Sequence, residues 1–173
     1  MPMNILETER LSVRHIEAED VAFILELLNE PGFIKNIADR GVRTLADAVR
    51  YIEQGPRASY AKFGFGLFCV ILKETGVPIG MCGLLKRETL EDVDIGYAFL
   101  ERCWGQGYAS EAASAVMAYG HDTLGIKRIV AITAPDNDAS IRVLTKLGLR
   151  FKAMVYIGHD REESRLFVPV EET

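Results

Sequence analysis

Two glycines, Gly105 and Gly107, stand in the run RCWGQGYASEAASAVMAYG (102–120), just before a stretch with helical spacing. A glycine turn that opens a helix can hold phosphate. Glycine lets the backbone approach an anion closely, and the first N–H groups of the helix meet it with the positive end of the helix dipole. Here those N–H groups run from about Gln106 through Gly107, Tyr108 and Ala109 to Ser110. A P-loop adds a Lys-Ser/Thr pair after its last glycine, and none follows here. A dinucleotide site wants glycine or alanine where Ser110 stands. It also wants an acid about 20 residues on for the ribose hydroxyl, and Lys127–Thr133 has none. By spacing alone the turn fits either a diphosphate cradle or a plain strand-to-helix connection.

Other reactive side chains form no such pattern. His15, His121 and His159 are scattered without ligand spacing, so no metal is expected and all three read as structural or surface residues. The cysteines, Cys69, Cys82 and Cys103, are odd in number and contain no CxxC pair, which fits reduced thiols in a cytoplasmic protein. Cys103 lies beside the glycine turn, but no His or Asp partner lies near it in sequence to support an acyl-cysteine. Arg142 and Lys146, one helical turn apart, read as a solvated helix face.

The elements that must position the turn are legible from periodicity. RLSVRHI (10–16) alternates as a strand; 17–30 has helical spacing with Pro31-Gly32 as a stop; 44–55 reads as a helix capped by Thr44 and ended by Gly55. Two apolar runs joined at Glu74-Thr75-Gly76 predict a hairpin, and 92–100 predicts a further strand leading into the turn. After the turn come a helix to about Leu124, a strand over 127–133, a helix over 137–148 with Asn137 or Asp138 near its cap, and two closing strands. Three strands in meander followed by one βαβ crossover predict an α+β fold: a mixed, mostly antiparallel sheet with helices on both faces.

The bulk properties bound the function. A chain of 173 residues, 49% hydrophobic, is the size of one domain and can bury a real core, so one domain over residues 1–173 is expected. A net charge of −5 argues against a nucleic-acid backbone as partner and slightly favours a cationic over an anionic small substrate. The N-terminus shows no signal-peptide pattern, and the longest apolar stretch, Phe63–Leu72, is ten residues, too short to span a bilayer. The expected location is therefore the cytoplasm, with no membrane partner, as a monomer or homodimer.

Four separated segments resemble one family. WGQGYASEA preceded by IGYAFL, NDASIRVLTKLGLRF, the N-terminal LETERLSVRHIEAEDV and the central GVPIGMCGL are together similar to the GNAT acetyltransferases, in the branch of the ribosomal-protein N-terminal-alanine acetyltransferases. The resemblance covers nearly the whole chain in order. It implies that Arg102-x-x-Gly105-x-Gly107 is the pyrophosphate loop for acetyl-coenzyme A. It also implies direct transfer of the acetyl group to a primary amine in a ternary complex, the acceptor being a protein N-terminus or a small amine. Backbone groups at Phe99, with Leu100 beside it, would pair with the pantetheine arm and polarise the acetyl carbonyl. Asn137 would contact that arm, Ser140 would lie near the thioester sulfur, and Asp94 would serve as the base through a water. Where many members place a tyrosine as general acid, this chain has Leu144. Glu111, in the first turn of the helix, reads as structural.

Overall fold

The computed structural model describes residues 4–157 and 163–171; His159 lies outside them. The chain starts with strands β1 (Asn4–Glu7) and β2 (Leu11–Arg14), then passes through a 3-10 turn (Ala18–Asp20) into α1 (Val21–Leu28), α2 (Pro31–Asn36), α3 (Leu45–Gln54) and α4 (Pro56–Phe63). A meander follows, β3 (Leu67–Leu72), β4 (Val77–Leu85) and β5 (Val93–Phe99). The second half holds α5 (Tyr108–Asp122), β6 (Ile129–Thr133), α6 (Asp138–Lys146), β7 (Leu149–Tyr156) and β8 (Glu163–Pro169).

The eight strands form one sheet in the order β1-β2-β3-β4-β5-β6-β8-β7, and every neighbouring pair is antiparallel except β5–β6. Alternation along β5 divides its side chains between two cores. Ile95, Tyr97 and Phe99 pack with α5 and with Leu144 of α6; Ala98 packs with α1 and α3. The α+β architecture with helices on both faces is the one the sequence predicts.

The helical region between β2 and β3 is richer than periodicity suggests. Pro31, which reads as a stop after α1, also opens α2, and Pro56 opens α4 directly after Gly55 ends α3. Proline suits a first helical position because its missing N–H has no helical partner there. These helices of six and eight residues are too short to show a periodic pattern. α3 is capped as expected: Thr44 Oγ1 accepts the Asp47 N–H at 3.0 Å, and Asp47 returns the bond.

Candidate active site

The site begins where two strands part. β5 and β6 pair in parallel at only two positions, Val93 with Ile129 and Asp94 with Val130. Past that point β6 pairs with β8, at Ala131, Ile132 and Thr133, and β5 keeps only β4 as a partner. A gap opens between β5 and β6. The Leu100 N–H is engaged by the Ile79 carbonyl of β4 at 2.9 Å. Antiparallel pairing alternates, so the N–H groups of Tyr97 and Phe99 turn away from β4, into the gap. The Phe99 carbonyl accepts the Trp104 indole N–H at 2.8 Å. Of the Phe99–Leu100 pair, then, Phe99 alone offers the gap an N–H, and Tyr97 offers a second that sequence reading missed.

α6 brings hydroxyl chemistry to the same gap. The Asn137 side-chain oxygen accepts the Ser140 N–H at 3.3 Å and starts the helix. Ser140 thereby faces β5, with its Oγ 2.7 Å from the Tyr97 phenol oxygen. Burial pushes the Tyr97 phenol up to about 12, against a smaller opposing effect of the Ser140 bond, so it stays protonated at neutral pH. Leu144, one turn further along α6, is 1% exposed and packs in the core. A phenol is present after all, carried by the strand and not by the helix. In the sequence it reads as an ordinary apolar strand residue.

Asp94 is not brought to this pair. Alternation puts its side chain on the other face of β5 from Tyr97. Its carboxylate is 1% exposed and accepts two bonds from Arg87, from Nε at 3.0 Å and from Nη2 at 3.3 Å. Burial raises its pKa, and the guanidinium opposes that rise.

The glycine turn has the expected conformation. Gly105 and Gly107 take φ of 76° and 84°, the left-handed region that favours glycine. Gly107 is the N-cap of the 15-residue α5 and supplies no side-chain cap, so the N–H groups of Tyr108, Ala109 and Ser110 remain directed at the turn. A Cβ on Gly105 would meet no atom within 4 Å, so the turn faces open space. Such a turn fits a diphosphate.

A second arginine, besides Arg102, reaches the turn. Arg102 pairs with Glu26 of α1 at 2.7 Å, which holds its guanidinium toward that helix. Arg10, from the β1–β2 connection, reaches over instead: Nη1 donates to the Gln106 carbonyl at 2.9 Å, and the guanidinium lies 4.4 Å from the Tyr108 ring centroid. Glu111 fixes it there, accepting the Arg10 Nε at 2.7 Å, the Arg10 N–H at 2.9 Å and the Thr8 hydroxyl at 2.5 Å. Arg10 carries no local sequence signal, because its relation to the turn exists only after β2 has packed beside α5.

Among the described residues, no three His, Cys, Asp or Glu side chains cluster to hold a metal ion, and no helix is long and apolar enough to cross a membrane. Burial raises the thiols of Cys69 and Cys82, the former to about 12, which makes both poor nucleophiles.

A parting strand pair, a left-handed glycine turn and a helix N-terminus stand together at this end of the sheet. A family model described as an acetyltransferase (GNAT) domain matches residues 10–150. The N-acetyltransferase YnaD of Bacillus subtilis, itself uncharacterised, is 30% identical over 171 residues, covering 96% of this chain and 97% of its own. A GNAT-family acetyltransferase structure from Bacillus anthracis superposes with a TM-score of 0.79 at 27% identity, over 98% of this chain and 100% of that one. The ribosomal alpha-N-protein acetyltransferase RimL, solved in complex with coenzyme A, shares the fold with a TM-score of 0.82 at 16% identity, over 98% and 99% of the two chains. The chain belongs to the GNAT acetyltransferase family. It is an N-acetyltransferase that uses acetyl-coenzyme A as co-substrate.

Proposed function

We propose that this enzyme acetylates an α-amine, that of a peptide N-terminus or of a small amino compound, by direct transfer within a ternary complex. The observation that carries this reading is the Tyr97–Ser140 hydroxyl pair at the gap, with Asp94 held apart from it by Arg87. The pair can donate a proton, and among the described residues no carboxylate is hydrogen-bonded to it. An α-amine, with a pKa near ~8, is partly neutral at physiological pH and needs little help from a base, whereas an alkyl amine near ~10.4 needs much more.

The remaining roles belong to the same proposal. The N–H groups of Gln106 to Ser110, with Arg10, hold the diphosphate. The N–H groups of Tyr97 and Phe99 line the gap and are placed to polarise a carbonyl seated there. Acetyl-coenzyme A supplies an activated acyl group on a thiolate leaving group. Ser140 Oγ, backed by the Tyr97 phenol, supplies the proton that the departing sulfur takes up. Asn137 holds Ser140 in place. Much of the rate comes from fixing both reactants side by side.

Incubating the protein with acetyl-coenzyme A and amines of graded pKa tests this reading, following thiol release and the acetylated product by mass spectrometry. α-Amines should be acetylated faster than alkyl amines at pH 7, with the gap closing as pH rises. Binding of acetyl-coenzyme A without thiol release on any amine would instead show a non-catalytic acyl-coenzyme A sensor.

A further inference from the structure

On the face of the sheet that carries α1 and α3, between α3, α4 and the ends of β3 and β4, lies a cavity of about 730 Å³. Its size is that of a small-ligand site. Five cationic side chains line it, Arg40, Arg50, Lys62, Lys86 and Arg87, against a single acid, Asp47. Asp47 is already occupied: it accepts the backbone N–H groups of Arg43 at 3.0 Å and Thr44 at 3.2 Å, and it pairs with Arg50. Among the described residues, Arg40, Lys62 and Lys86 have no carboxylate within ion-pair distance. The Lys86 ammonium is anchored by the Leu90 carbonyl at 2.8 Å, and Lys62 lies over the Phe63 ring at 5.1 Å. A chain of net charge −5 has therefore gathered uncompensated positive charge in one concavity. Like charges in a recess repel one another, and a bound anion relieves that repulsion.

The cavity adjoins the transfer site. Leu67 and Leu85 form part of its wall. The same two side chains are what a Cβ on Gly96 would meet, at 3.7 and 3.1 Å. Gly96 is next to Tyr97 in β5, so the cavity's Leu67–Leu85 wall packs on the strand one residue from the Tyr97–Ser140 pair. Arg87 links the two regions from the side: it lines the cavity and grips Asp94, which neighbours the first unpaired stretch of β5.

We infer that this cavity is the acceptor site and that the acceptor is an α-amine bearing further carboxylates, an acidic amino acid or the acidic N-terminus of a peptide. The cations hold the carboxylates, and the amine is turned toward the Leu67–Leu85 wall that backs onto β5 beside Tyr97. This rests on the acetyl-transfer reading above. It reverses the slight preference for a cationic substrate drawn from net charge, because the local field of the cavity outweighs the sum over the surface.

The test is a set of kcat/KM values with saturating acetyl-coenzyme A. The acceptors are L-glutamate, L-glutamine, a short peptide beginning with acidic residues, its neutral counterpart, and spermidine. The acidic member of at least one pair should exceed its neutral counterpart by about tenfold, chiefly through KM, and lose that advantage at high salt. Which pair responds distinguishes a free amino acid from a peptide. The variant Arg40→Glu with Lys62→Glu, both at exposed positions, should abolish the advantage while melting temperature and acetyl-coenzyme A affinity stay unchanged. Equal or better turnover of neutral amines or spermidine would overturn the inference and leave acetyl transfer standing. Thiol release with none of the amines, despite acetyl-coenzyme A binding, would overturn the transfer reading and the inference with it.

Discussion

The hydroxyl oxygens of Tyr97 and Ser140 lie 2.7 Å apart across the gap between β5 and β6, one on the strand and one in the first turn of α6. This pair supplies a protonated phenol where Leu144 removes the one that the family resemblance leads one to expect. Tyr97→Phe and Ser140→Ala should each lower kcat by about a hundredfold, the range of general acid catalysis. Because the two act as one donor, the double variant should be little worse than the worse single one. Acetyl-coenzyme A affinity should be unchanged, and each variant should lose only about 1 kcal/mol of stability. Wild-type kcat in both would leave the pair a packing contact.

Arg10 should matter to the co-substrate more than Arg102 does. Arg10→Gln is expected to weaken acetyl-coenzyme A binding by about tenfold, the size of one lost hydrogen bond to a charged group. Arg102→Gln, whose parent guanidinium is directed to Glu26 of α1 and not to the Gln106 carbonyl, should change it little. Titration calorimetry of the two variants reads the difference directly. Arg10→Lys should restore only part of the affinity, because a single ammonium cannot hold Glu111 and Gln106 in the same fork.

Gly107→Val tests the turn itself. At φ 84° any side chain raises the energy of the backbone, by roughly 1–2 kcal/mol, and a branched one is disfavoured further. The added Cβ would meet only the flexible end of Arg10, at 3.4 Å, so the core stays undisturbed. The protein should melt a few degrees lower and still fold, while binding coenzyme A much more weakly. Unchanged affinity would show that the turn does not hold the diphosphate.

Asp94→Asn separates a base from a positioning residue. Asp94 has a raised pKa in the folded state. Such a group favours folding most when it is protonated, below its unfolded value, and that contribution is lost as pH rises through the folded value. The wild type should therefore gain stability relative to Asp94→Asn as the solution is acidified, which denaturant unfolding across pH measures. Catalysis should respond through KM for the acceptor, by release of Arg87, with the pH profile of kcat retained. A kcat loss at pH values where Asp94 is ionised, with the acid limb of the wild-type pH profile abolished, would make Asp94 the base.

Local pattern sufficed for every strand except β1, for the long helices, the hairpin at Gly76 and the glycine turn at Gly105 and Gly107. Each of these depends on spacing, caps or backbone freedom within a few neighbouring residues, and the four matched segments carried the family. Short helices opened by Pro31 and Pro56 escaped because neither is long enough to show a period. What tertiary structure decided is which side chains meet. Alternation along β5 sends Tyr97 to Ser140 and Asp94 to Arg87, on opposite faces. Packing of β2 beside α5 brings Arg10 to the turn. Folding of α3 and α4 over the sheet collects five cations from separate segments into one cavity, inside a chain whose net charge is negative. Contacts of this kind join residues tens of positions apart. They depend on register and docking, which no local run of amino acids encodes.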